Sequence, residues 1–198
     1  MNRGNIINKF IQKYKYETYL EIGVDGGWLF NSIGIKNKES VDPALGQYSH
    51  ANPTHKMTSD EYFENCCKVK YDIIFIDGLH ESHQVDKDIK NSLKCLNDGG
   101  RVLLHDCSPP NEKAQMVPRP GPGVWNGDVW KSLVKFNIEN HDEYNVYVVD
   151  TDHGVGVIEK GKGVCNIEMP EELDYKWLSK NRKDALNLIS VKEFNSKF

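Results

Sequence analysis

No stretch of this 198-residue sequence approaches the roughly 20 consecutive apolar residues that cross a bilayer, so no membrane-spanning helix is expected. The opening residues MNRGNIINKF also lack the continuous apolar segment of a signal peptide, which makes the cytoplasm the expected location. Neither end carries a run of lysine or arginine, and the formal net charge is -4. Nucleic acid is thereby disfavoured as the main partner, because binding it rests on neutralising phosphates. The five cysteines form no C-x-x-C and no pair of pairs. Neither a zinc site nor a disulfide framework is expected, and most of the thiols are read as buried or idle. The histidines of HESH lie three apart, so the H-E-x-x-H of metalloproteases is missing too.

What is present is a globular composition, 38% hydrophobic and 27% charged, long enough for one substantial core. Ile6, Ile7, Phe10, Ile11 and Tyr14 recur at helical spacing and predict an amphipathic helix. TYLEIG reads as a short strand, followed by the glycine-rich turn GVDGGW and the helix-like WLFNSIG. KESVDP is a strand ending in Asp42, and HKMTSDEYFENCC a short strand that turns into a helix at Ser59. YDIIFIDG is the strongest strand pattern, QVDKDIKNSLKCL an amphipathic helix and RVLLHD a further buried strand. Residues 107–127 hold most of the eight prolines and cannot be one regular element. DVWKSLVKF resumes as helix, and YNVYVVDTDHGVGVIEKG is a hairpin whose DTDHG turn is either plain or faces a pocket. The tail PEELDYKWLSKNRKDALNLI is helical, offering Trp177 and several leucines to its own core or to a second copy in a homo-oligomer.

Strands alternating with helices predict an α/β fold, a doubly wound and mostly parallel sheet to which the terminal hairpin adds an antiparallel strand. Residues 1–160 form the expected domain, with 161–198 a helical extension packed on it. In such sheets ligands sit beyond the carboxyl ends of the strands, at the switch point of strand order. That rule gathers Gly23 to Gly27, Asp42, Ser59, Asp60, Asp77 to His80, His105 and Asp106 on one edge. A dinucleotide fingerprint would need glycine at 25 and a small residue at 28, where the chain has Asp25 and Trp28. An acid beside a pyrophosphate is repulsive, so an NAD-dependent oxidoreductase is disfavoured and a neutral or cationic ligand suits the loop better.

The ordered set YLEIGVDGG, VDP, MTSDEYF, YDIIFIDGLHE and LNDGGRVLLHD, covering about residues 17–160, resembles class I S-adenosylmethionine-dependent methyltransferases. The resemblance implies their Rossmann-like fold and their cofactor. It implies that Glu21, Gly23, Asp25 and Gly27 hold the methionine part of S-adenosylmethionine, Asp42 the ribose hydroxyls, and Ser59 and Asp60 the adenine. Asp77-x-x-His80 is similar to the metal-dependent O-methyltransferases of the catechol and macrolide-sugar types. There the aspartate binds magnesium and contacts the cofactor region, the residue three positions on is the general base, and a second metal-binding aspartate matches Asp106. Catechol-type relatives have asparagine as a third ligand where this chain has Cys107, and thiolate is a poor ligand for magnesium.

The expected reaction is therefore O-methylation of a small molecule or sugar, with His80 and Asp77 catalytic, Asp77 and Asp106 candidate ligands of Mg2+ or another divalent cation, and His105, Trp125 and Asp128 meeting the acceptor. A bland role is open for Asp128, as a helix cap, and for His80, as a surface histidine. The alternative function is a non-catalytic S-adenosylmethionine-binding module serving as a partner subunit.

Overall fold

Five of the six residues of Tyr71–Ile76 are buried, which a strand achieves only when helices cover both faces of its sheet. The computed structural model, which describes residues 1–44 and 52–198, builds that arrangement. Its elements run α1 (Arg3–Tyr14), β1 (Thr18–Ile22), α2 (Trp28–Ser32), β2 (Asn37–Val41), α3 (Ser59–Asn65), β3 (Tyr71–Ile76), α4 (Ser82–Lys94), β4 (Leu96–Leu104), α5 (Val129–Asn140), β5 (Tyr144–Val149), β6 (Val155–Lys160), α6 (Tyr175–Ala185), β7 (Leu188–Ile189) and α7 (Val191–Lys197).

The seven-stranded sheet has the order β2-β1-β3-β4-β6-β5-β7. β2, β1, β3 and β4 are parallel, and β6 runs antiparallel between β4 and β5. The expected α/β class and the reversed hairpin strand are both found. Two features differ from the sequence reading. HKMTSDEYF forms a single bridge, Val41 to His55, before α3, because a threonine-capped helix starts at once with Thr58 and Glu61 closing a capping box. The tail is not helical throughout. Leu188 and Ile189 add β7 parallel to β5, so the extension joins the sheet itself.

Side-chain alternation along β3 sorts the core. Ile73 and Phe75 meet Ile6, Ile7 and Phe10 of α1 and Phe194 of α7 on one face. Ile76 turns to the other face, with Val85 and Ile89 of α4 and Trp130 and Leu133 of α5. Cys67 and Cys95 are joined as a disulfide, while Cys66, Cys107 and Cys165 are free, so the expectation of idle thiols holds for three of the five. The pairing tied two cysteines 28 residues apart that carry no spacing signal.

Candidate active site

Strand order reverses between β1 and β3, and the chain leaves each parallel strand at the same edge. A ladder of backbone bonds continues past the strand ends and aligns the exits: Gly23 N–H to Val41 O, Asp77 N–H to Ile22 O, His105 N–H to Ile76 O. The edge opens into a cavity of about 710 Å³, inside the roughly 300–1,000 Å³ range of ligand pockets. Glu21, Gly23, Asp25, Asp42, Ser59, Asp60, Asp77, His80, His105, Asp106 and Trp125 all line it. Gly27 and Asp128 do not.

One half of the cavity is the glycine loop. Gly23 has φ +86°, and a Cβ there would meet the Asp77 carbonyl oxygen at 2.1 Å, so only glycine lets β1 and β3 exit side by side. Asp25 adopts φ 45°, the left-handed conformation a glycine would favour and aspartate tolerates better than most. Asp42, almost buried, accepts from Val24 N–H at 2.8 Å and from Ala44 N–H at 2.6 Å. It thereby ties the loop to the end of β2 and keeps lone pairs for a ligand. Glu21 lies under the loop; burial pushes its pKa up to about 8, although the Tyr19 hydroxyl donates to it. At the far side Gln84 of α4 donates to Ser59 Oγ, Asp60 Oδ1 and Asp88 Oδ1, bracing the first turn of α3. Burial raises the pKa of Asp88 to about 6. Gln84 and Asp88 went unread in the sequence because they sit inside a helix pattern that needs no ligand.

The other half is a charge cluster at the ends of β3 and β4. His80 Nε2 is 3.4 Å from Asp77 Oδ1, and its Nδ1 is 3.4 Å from Asp106 Oδ2 and 3.2 Å from the Trp125 carbonyl. The Trp125 ring stacks on the His80 ring at 5.1 Å and 25°. Burial alone would lower the His80 pKa, but the two carboxylates raise it. His105 Nδ1 stands 3.3 Å from Asp77 Oδ1 and 3.1 Å from Asp106 Oδ2. Against its own burial, hydrogen bonding to Asp106, Asp152 and Asp77 raises its pKa to about 11. Asp77 is held well below the usual carboxylate range: burial works the other way, and His105 and His80 outweigh it.

Arg3 and Asp152 complete the cluster. The Arg3 backbone N–H donates to Asp152 Oδ2 at 2.8 Å, its guanidinium reaches both Asp152 oxygens, and Nε lies 3.7 Å from Asp77 Oδ2. None of the DTDHG residues lines the cavity: the turn stands behind Arg3 and His105, which do, with Asp152 and His153 both at left-handed φ, 50° and 64°. Nothing in MNRGN marked Arg3, since its partner lies 149 residues away. Of the two roles open to Asp128, the structure shows a helix cap, and the residue does not line the cavity. Its two oxygens accept from Ser82 N–H at 2.6 Å and Ser82 Oγ at 2.9 Å, so it caps α4 from outside.

The donor set suits a divalent cation. Asp77, His80 and Asp106 offer ligand atoms all within 4.8 Å of one another, and carboxylate oxygens are what magnesium or calcium take. Cys107 does not compete, for its buried thiol turns back toward the Leu104 and His105 carbonyls.

A parallel sheet of this order, with a glycine loop and an acid at its switch point and a reversed strand beside β4, is the fold of class I S-adenosylmethionine-dependent methyltransferases. Residues 34–107 match the family described as a methyltransferase domain, a span that runs from before β2 to Cys107 and so includes Asp42, Asp77, His80 and Asp106. Among solved structures, an O-methyltransferase from Bacillus cereus in complex with SAH is similar at TM-score 0.53 and 14% identity, over 80% of each chain. The O-methyltransferase TomG from Streptomyces achromogenes, in complex with SAM, is similar at TM-score 0.55 and 13% identity, over 80% of this chain and 79% of its own. The MycE methyltransferase of the mycinamycin pathway, in complex with Mg and SAH, is similar at TM-score 0.50 and 15% identity, over 90% of this chain and 54% of its own. No curated protein matches the sequence. The methyltransferase resemblance holds at the level of domain and fold. Among the described residues no helix is long and apolar enough to cross a membrane.

Proposed function

We propose that the chain transfers the methyl group of S-adenosylmethionine to a hydroxyl oxygen of a small-molecule acceptor. The observation that carries this reading is the position of His80, in the wall of the same cavity as Asp42 and the glycine loop. The cofactor's cationic methionine end suits Glu21 and Asp25, where a pyrophosphate would be repelled. In this reading the Asp42 carboxylate binds the ribose hydroxyls, and Ser59 and Asp60 border the adenine.

The chemistry needs an oxygen aligned with the sulfonium methyl and relieved of its proton. The Trp125 carbonyl can only accept, so His80 Nδ1 carries a hydrogen, and it is the neutral form of the ring, which the two carboxylates make more basic, that offers Nε2 as the base. As the O–C bond forms and the C–S bond breaks, Nε2 takes the hydroxyl proton and S-adenosylhomocysteine leaves. The imidazolium so formed is stabilised by Asp77 and Asp106 at 3.4 Å. A divalent cation held by Asp77 and Asp106 would lower the hydroxyl pKa and fix its orientation. Trp125 offers a flat face to a sugar or phenol. A sugar as the acceptor, a cytoplasmic setting and a homo-oligomer belong to the same proposal and rest on sequence character alone.

Titration of S-adenosylmethionine and S-adenosylhomocysteine by calorimetry tests the cofactor, with Asp42→Ala alongside. Micromolar binding that weakens about tenfold or more in the variant is expected, because a charged hydrogen-bond acceptor is lost. No heat with either ligand would end the methyltransferase reading. His80→Ala should bind cofactor as the parent does while turnover against a hydroxylated acceptor falls about 10²–10⁴-fold. Cofactor binding with no turnover by the parent chain on any hydroxylated acceptor would favour the binding-module alternative.

A further inference from the structure

His105 does more in this site than border an acceptor. Its Nδ1 is wedged between Asp77 Oδ1 at 3.3 Å and Asp106 Oδ2 at 3.1 Å. Donors on adjacent corners of a six-coordinate ion with bonds of about 2.1 Å lie roughly 3 Å apart. On the far side of the ring, Nε2 lies 3.2 Å from Arg3 Nη1 and 3.7 Å from the Asp152 carboxylate that the same guanidinium binds, and this pair fixes the orientation of the imidazole. Two further atoms point to a missing partner at this place. Asn126 donates its amide to Asp106 Oδ1 at 2.9 Å, yet its own Oδ1 is buried with nothing to bond. Arg3 Nε, on the opposite flank beside Asp77, is likewise buried without a hydrogen-bond acceptor. A buried donor and a buried acceptor left open around one cluster are costly unless something enters between them. A hydrated cation supplies water that can both give and accept.

We propose that His105 is itself a metal ligand, and that Asp77, His105 and Asp106 together select a transition-metal dication over magnesium. Magnesium demands oxygen donors, whereas an imidazole nitrogen among carboxylates suits ions such as Fe2+, Co2+, Ni2+ or Zn2+. The ion takes the place of the proton that Nδ1 shares with the two carboxylates, and His80 stays free for the acceptor. The inference rests on the reading of Asp77 and Asp106 as a cation site and adds the nitrogen that decides which cation.

Metal-stripped full-length protein is titrated by calorimetry with Co2+ and separately with Mg2+, alongside His105→Glu and His105→Asn. Because late ions bind most sites more tightly, the informative quantity is the ratio of the two affinities and its change in the variants. Co2+ should bind about 100-fold or more tightly than Mg2+, and the ratio should fall about tenfold or more in His105→Glu. Pulsed electron paramagnetic resonance of bound Mn2+ should show nitrogen coupling that disappears in both variants. An unchanged ratio, absent nitrogen coupling, or no divalent binding overturns the proposal. Thermal melting checks that each variant folds, and His105→Asn carries the test if the glutamate does not. S-adenosylmethionine is titrated into the same samples: cofactor binding without metal binding sinks this inference alone, whereas no cofactor binding sinks the methyltransferase reading.

Discussion

Glu21 is a carboxyl group with almost no water around it, 1% exposed beneath the glycine loop. Burial raises its pKa from 4.5 to about 8 in the folded chain. A folded value above the unfolded one means that the stability it contributes is fully present below pH 4.5 and is lost as pH rises through about 8. Glu21→Gln, which cannot ionise, should match the parent near pH 4.5 and exceed it by about 2–4 kcal/mol at pH 8. Urea denaturation at several pH values reads the difference, and a gap that does not grow with pH would refute the assignment. A cationic methionine amino group, in the proposed function, gives reason to keep so costly an acid. Residues of this kind were legible because they stand at or just past strand ends: Glu21 in the last two residues of β1, Asp42 after β2, Asp77 after β3 and Asp106 two residues beyond β4. Arg3, Gln84, Asn126 and Asp152 were not, because each acquires its meaning from a partner on another element.

Helix α4 begins without a capping side chain of its own, since Glu81 makes no such bond. Asp128, 46 residues further on, supplies the cap through Ser82. Asp128→Ala should therefore destabilise the fold by about 1–2 kcal/mol while leaving the KM for the acceptor unchanged. Thermal unfolding with acceptor kinetics separates this from a binding role, and a raised KM with unaltered stability would restore the acceptor contact. Sequence rules for caps look to the next few residues, so a cap arriving from another loop is invisible to them. The proline-rich segment shows the same limit. Its irregularity was plain from composition, but not that it ends against His80, where Gly127 with φ +59° allows a backbone approach no side chain would permit.

At the scale of the whole molecule, the last helix closes the core over the first. Phe194, fully buried, meets the Phe10 ring edge-on at 5.5 Å, and Phe198 adds a second edge at 5.0 Å. Phe194→Ala should cost about 3–5 kcal/mol, the range for emptying an aromatic site in a core. Equilibrium urea unfolding measures it, and a loss below 1 kcal/mol would mean that the tail is an appendage. Because α1 also carries Arg3 into the cavity, the same variant is expected to loosen the wall of the site.

The sequence by itself determined the class of fold, the strand-end acids and the glycine loop, because hydrophobic period and turn chemistry act over a few neighbouring residues. Tertiary structure alone decided that Asp128 caps α4, that Cys67 meets Cys95, and that Arg3, His105 and Asp152 form one charge cluster with Asp77. Those outcomes depend on which strand ends stand side by side. Sheet order is set by packing across the whole chain, and local pattern does not carry it.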